Sequence, residues 1–207
     1  MSDDARAERL AAVNEAKRAH ILGSALRVFA RDGLQKASIR AIANEAGYAP
    51  GAIYGYFSTK DDIYAAALEE SLTRLRAATE ATATLPGEGG PAMRYQAASL
   101  AFYDFYDANP QDLDMGFYLF SGGMAPRGLT DSHINRRLNA ALIAALAPIR
   151  EAAEEVFGAD ASARVAADTF AHASGLLLLR HTRRLDLFEL DARDLMKRYL
   201  HTQLATT

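Results

Sequence analysis

The chain has 207 residues, half of them hydrophobic and 24% charged, the balance of a globular protein long enough to bury a substantial core. It holds no cysteine, which excludes disulfides, thiolate metal sites and thiol nucleophiles. The net charge of −3 is uneven: residues 1–60 hold nine Lys/Arg against six Asp/Glu, and the remainder fourteen against twenty. A mildly basic head on an acidic body suits a head that meets a polyanion.

The N-terminal MSDDARAERL is acidic and polar where a signal peptide would be basic and then apolar. Apolar runs such as Leu176 to Leu179 are too short to cross a bilayer, so a cytoplasmic protein without a membrane partner is expected. A first helix carries Ile21, Ala25 and Val28 on one edge with Leu22, Leu26 and Phe29 beside them. Asp32-Gly33 stops it, with Gly33 in the left-handed conformation. Ser38 caps a second helix, Ile39 to Glu45, which ends at Gly47. Pro50 opens a third, because its missing N–H costs nothing in a first turn. Thr59 and Asp62 form a capping box for a long fourth helix striped by Tyr64, Leu68, Ser71 and Leu75.

LPGEGGP, residues 85–91, reads as a loop. Beyond it the pattern predicts helices over 92–108 and 110–120, a loop over 122–128, and a long helix over 130–157 with a bend at Pro148. Two more follow over 160–184 and 191–204. No segment alternates as a strand would, so the expected fold is all-α. The chain is expected to divide into a three-helix domain over 1–60 and a second helical domain over 61–207.

In a helix-turn-helix, one helix braces on the DNA backbone while the start of the next enters the major groove. Phosphates sit well on helix starts, and Ser38 and Lys60 stand at two of them. Arg40, in the first turn of the second helix, is placed for phosphate or a base edge. Ala49-Pro50-Gly51-Ala52 offers a small surface for close approach, and Tyr54 and Tyr56 bring hydroxyls that can donate to phosphate. Ile53 and Phe57 belong to the core of the three helices.

Residues 20–66 resemble the N-terminal domain of the TetR family of bacterial transcriptional repressors. The resemblance is carried by the Ile21-to-Phe29 stripe, Phe29-Ala30-x-x-Gly33 and Ile42-Ala43-x-x-Ala46-Gly47. It continues through Gly51-x-Ile53-Tyr54-x-Tyr56-Phe57 to Lys60 and Ile63. It implies a homodimer joined by the last two long helices, a small-molecule effector pocket inside each body, and a palindromic double-stranded DNA operator. It also implies phosphate contacts for Ser38, Tyr54, Tyr56 and Lys60, and base-edge contact or close approach for Arg40, Gly51, Ala52 and Gly55. Two positions depart from the family pattern. Ala49 replaces a capping Ser or Thr, and Gly55 stands where a larger base-reading side chain is common. Direct readout is therefore expected to be thin, with Arg40 as the side chain to test.

In the body, aromatic residues cluster at Phe102, Tyr103, Phe105, Tyr106, Phe117, Tyr118 and Phe120. Such residues fill cores and also line the apolar pockets of helical bundles, and both readings stay open. The candidate effector contacts are Phe102, Tyr103, Tyr106, Phe117 and Phe120, with His133, Arg137 and His172 as polar anchors for an aromatic or lipophilic ligand, an anionic one if Arg137 holds its carboxylate. The candidate dimer interface is Ala171, Ser174 and Gly175 with Leu195, Met196 and Tyr199, which a two-fold axis would bring against their own copies. No enzyme is expected: Ser121, Asp131 and His133 lack the spacing of a triad. Neither metal nor cofactor is expected, because no two histidines stand at i, i+4. The alternative is a helical ligand-sensing or protein-docking module whose head binds no DNA.

Overall fold

A computed structural model of the chain describes residues 3–83, 90–118 and 132–205. Its described residues form α-helices and one short 3-10 turn, with no strand among them. The all-α expectation therefore holds. The chain divides into two compact units, one of Met1–Glu70 with Met115–Asn135 and the other of Ser71–Asp114 with Arg136–Thr207. Residues 85–89 of the predicted first loop, the predicted loop 122–128, Phe120, Ser121 and Asp131 lie outside the described residues.

In the first unit, α1 spans Asp3–Asp32, well ahead of the apolar stripe that announces it. Alanine, glutamate, arginine and leucine favour helix in that leading stretch, and Asp3 and Asp4 suit its positive dipole end. Little of the stretch is buried; Leu10 is 63% exposed. The stripe itself is core: Ile21, Ala25 and Val28 are fully buried, and Leu22 and Phe29 nearly so. Gly33 ends the helix at φ 77°, its N–H donating to the Phe29 carbonyl at 2.9 Å. α2 spans Ile39–Ala46, and the Ser38 hydroxyl accepts from the Ala41 N–H at 3.1 Å. It closes at Gly47, φ 72°, where Gly47 N–H donates to the Asn44 carbonyl and Tyr48 N–H to that of Ala43. These two bonds make a Schellman motif, which satisfies carbonyls that a helix end otherwise leaves open.

α3 is a single turn, Pro50–Ile53. Helix-like bonds continue past it, from Tyr56 N–H and Phe57 N–H to the Ile53 carbonyl. Ile42, Ala43, Ile53, Phe57 and Ile63 complete the core of this unit. α4 spans Lys60–Ala83 and opens with the expected reciprocal cap: Thr59 N–H donates to Asp62 Oδ2 at 2.9 Å, and Asp62 N–H to Thr59 Oγ1 at 3.1 Å. The predicted stripe of Tyr64, Leu68, Ser71 and Leu75 is buried throughout. Tyr64 donates its hydroxyl to the Met115 carbonyl at 2.7 Å.

The later helices are α5 (Gly90–Ala108), α6 (Pro110–Tyr118), α7 (Ser132–Phe157), α8 (Ala159–His181) and α9 (Ala192–Ala205). In the second unit α5 packs on α8 and α9, which also pack on each other. Tyr95 on α5 donates to Thr169 Oγ1 at 2.7 Å, because the Thr169 proton already goes to the Val165 carbonyl. Ion pairs tie the ends of the same helices: Arg193 grips both oxygens of Asp104 at 2.7 and 2.9 Å, and Arg180 pairs with Asp107. α7 runs through Pro148 as one helix. Proline there removes the bond that the Ala144 carbonyl would accept, and Thr79 Oγ1 lies 3.2 Å from the neighbouring Ala145 carbonyl. Between α8 and α9 the chain makes a 3-10 turn, Leu185–Phe188, that the sequence pattern does not announce.

Candidate nucleic-acid interface

Three ion pairs and a ring contact decide which charges of the head are available. Glu45 on α2 accepts from Arg27 at 2.8 Å and from Arg31 at 3.0 Å, and Arg31 also pairs with Asp32 at 2.9 Å. Hydrogen bonds from those arginines hold the Glu45 carboxyl below its usual range, and the Arg31 bond does the same for Asp32. The Arg18 guanidinium lies 4.7 Å from the centre of the Phe57 ring. These groups fasten α1 to its neighbours. Their charge is compensated or directed inward, so they add little to a field that a polyanion would meet.

Arg40 stands apart from them. It is exposed in the first turn of α2 and makes no ion pair or side-chain hydrogen bond among the described residues. Ser38 is exposed, but its hydroxyl oxygen already caps Ala41; the hydroxyl proton remains free to donate outward. Pro50, Gly51, Ala52, Tyr54 and Gly55 are all exposed, and Tyr56 is half-buried. Tyr54 is 57% exposed, while Ile53 and Phe57 are buried behind it. α3 therefore turns its apolar side inward and its small residues and Tyr54 outward.

The helix start at Ala49 has no side-chain cap, as the alanine there dictates. Gly51 and Gly55 have ordinary negative φ and could carry a Cβ: nothing lies within 4 Å of it at Gly51, and the Ala52 carbonyl is 3.5 Å away at Gly55. Neither glycine is demanded by the packing of the protein. Lys60 is less free than its place at a helix start suggests. Its Nζ donates to the Gln35 carbonyl at 3.3 Å, and partial burial lowers its pKa from the usual lysine value. No local sequence signal announces this tether, since the partners are 25 residues apart.

The candidate body residues separate into different settings. Phe102, Tyr103 and Tyr106 are buried on α5; the Phe102 ring meets Tyr106 at 5.1 Å and Phe170 at 5.8 Å. Burial raises all three tyrosines of this helix, Tyr95 and Tyr103 to about 12 and Tyr106 further. His172 stacks on Tyr199 with ring centres 4.0 Å apart, and burial lowers its pKa. Arg137 is exposed in the same unit, whereas Phe117 and His133 belong to the first unit, the former half-buried and the latter exposed. Among the interface candidates, Ala171 and Gly175 are exposed on α8 and Ser174 is half-buried. On α9, Leu195 and Tyr199 are half-buried, but Met196 is fully buried inside the single chain and packs within it.

No helix among the described residues is long and apolar enough to cross a membrane, and they contain no cluster of His, Asp or Glu able to hold a metal. Residues 21–67 match the model of bacterial regulatory proteins, tetR family. A curated relative, the HTH-type nicotine-responsive transcriptional repressor HdnoR of Paenarthrobacter nicotinovorans, is 39% identical over 59 residues. That match spans 28% of this chain and 30% of the relative. Solved structures extend the likeness of fold to nearly the whole chain. A regulatory protein in the tetR family from Rhodococcus RHA1 aligns with TM-score 0.67 and 19% identity, over 91% of this chain and 95% of its own. The transcriptional regulator FadR from Bacillus subtilis, in complex with stearoyl-CoA, aligns with TM-score 0.65 and 15% identity, over 91% of this chain and 98% of its own.

Proposed function

We propose that this chain, which belongs to the tetR family of bacterial regulatory proteins through residues 21–67, is a ligand-responsive DNA-binding regulator of transcription. It acts in the cytoplasm as a repressor, and a small lipophilic effector taken up by the body releases it from a palindromic operator. One observation carries this reading: α2 and α3 turn an exposed surface of Arg40, Gly51, Ala52, Tyr54 and Gly55 to solvent, and no carboxylate among the described residues neutralises its arginine. Such a surface suits a duplex, with Ser38, Tyr54, Tyr56 and Lys60 on phosphates and Arg40 at a base edge.

The working form is a homodimer. A stripe on α8 supports it: Ala171, Gly175 and Leu178 are exposed at helical spacing, although two of them are small and the third is apolar. Two heads must sit roughly 34–36 Å apart to enter successive major grooves. An effector that binds more tightly to a body with a different head spacing lowers operator affinity by that difference. The helix α4 contributes residues to both units and is the covalent path for such coupling. Selection of duplex fragments from the source genome by the purified protein tests the whole reading. A palindromic sequence should be enriched, with binding that weakens steeply as salt rises. Absence of enrichment would leave a helical ligand-sensing or docking module.

A further inference from the structure

Tyr95, Ser99 and Tyr103 recur at every fourth residue along α5, which places them on one face, and all three are fully buried. Tyr95 is satisfied by Thr169. The hydroxyls of Ser99 and Tyr103 are buried without a hydrogen-bond partner among the described residues, and His172 Nε2 on the adjoining α8 is a third such atom. A buried hydroxyl without a partner is destabilising, and native cores keep few of them. Ser99 and Tyr103 thus bring two hydroxyls with unused hydrogen-bonding capacity to successive turns of one helix face.

The charges around this face restrict any guest. Arginines around this helix are already committed: Arg193 to Asp104, Arg180 to Asp107 and Arg74 to Asp112. Around the Tyr103 phenol stand Asp107, held by Arg180, Asp104, held by Arg193, and Asp191, which has no ion pair among the described residues. Burial in those surroundings keeps the phenol protonated, and burial keeps the His172 imidazole neutral at neutral pH. A carboxylate would meet the uncompensated Asp191 here and no uncommitted arginine among the described residues. A carbonyl or amide oxygen would meet hydroxyl donors.

We propose that this face of α5 binds an uncharged small molecule bearing a carbonyl-type oxygen, held by hydrogen bonds from the Tyr103 and Ser99 hydroxyls. This deepens the effector reading and rests on it for its regulatory meaning. The test is a thermal-shift titration of the full chain with neutral and anionic pairs of matched size, benzamide against benzoate and octanamide against octanoate. At least one amide should raise Tm while its carboxylate does not. Tyr103→Phe should weaken amide binding about tenfold, the value of one hydrogen bond. Its ligand-free Tm should be unchanged or higher, because the substitution removes an unpartnered hydroxyl. Ser99→Ala should behave the same way.

Carboxylates that bind as tightly as their amides would overturn the proposal, as would failure of both pairs to shift Tm. Amide binding that neither substitution alters, or a lowered ligand-free Tm in Tyr103→Phe, would also count against it. DNA affinity is read separately on the same samples. An amide that binds through Tyr103 and leaves DNA affinity unchanged supports the site while removing its role as the effector site.

Discussion

Arg40 and Arg31 are both exposed arginines of the head, yet their surroundings give them opposite roles. Arg31 is held by Asp32 and Glu45, whereas Arg40 has no partner among the described residues. Arg40→Ala should therefore leave thermal stability within about 0.5 kcal/mol of the parent, the usual effect at a surface site. Operator affinity should fall by about 1–3 kcal/mol, with relaxed preference at one base pair per half-site. Competition among operator variants measures this; unchanged preference would remove Arg40 as a reader. A second residue-scale prediction concerns His172. Burial places its folded pKa below the unfolded 6.5, so the unfolded chain binds the extra proton first. The stabilising contribution is complete above about pH 6.5 and is lost as pH falls through the folded value. Melting curves between pH 5 and 7 should show a fall in Tm on acidification that His172→Gln flattens.

At the scale of the element, the helix ends of the head were legible because their signals are local. Gly33, Ser38, Gly47, Pro50 and the Thr59–Asp62 pair each act within a few residues, and each stands in the conformation its chemistry requires. Gly47→Ala should thus cost about 1–2 kcal/mol, because an alanine Cβ clashes in the left-handed region. Chemical denaturation gives the value, and a loss below a few tenths would mean the turn relaxes into another conformation. What the sequence left hidden is non-local or lacks a glycine. The tether from Lys60 to Gln35 joins residues far apart in the chain. The leading part of α1 buries no stripe and so gave no periodic signal. The 3-10 turn after α8 is bracketed by Arg183 at φ 58° and Glu189 at φ 54°, left-handed residues whose side chains do not advertise it.

For the molecule as a whole, the sequence specified the local conformation of the head better than the surroundings of the body's aromatics, for a physical reason. A helix-turn-helix is specified by caps and turns at fixed spacing, whereas an aromatic on a helix looks the same whether it fills a core or lines a pocket. Phe102, Tyr103 and Tyr106 proved buried, and of the three Tyr103 carries a buried hydroxyl without a partner among the described residues. The dimer can be tested where the protomer is indifferent. Gly175 is exposed, and a Cβ there would meet nothing within 4 Å in its own chain. Gly175→Arg should keep the helical circular dichroism of the parent and shift the sedimenting species from dimer to monomer. A parent that already sediments as a monomer would contradict the dimer outright.

The proposed contact of the head with duplex DNA runs through a small set of cations that no carboxylate neutralises. Lys36, Arg40 and Lys60 are the cations of residues 18–60 with neither a carboxylate ion pair nor a ring contact among the described residues. The direct measurement is the salt dependence of binding to a fluorescent duplex carrying the selected operator. Two heads with three such cations each predict a slope of log affinity against log salt of roughly −5. An affinity for duplex DNA that is absent at low salt, or independent of salt, would contradict the account.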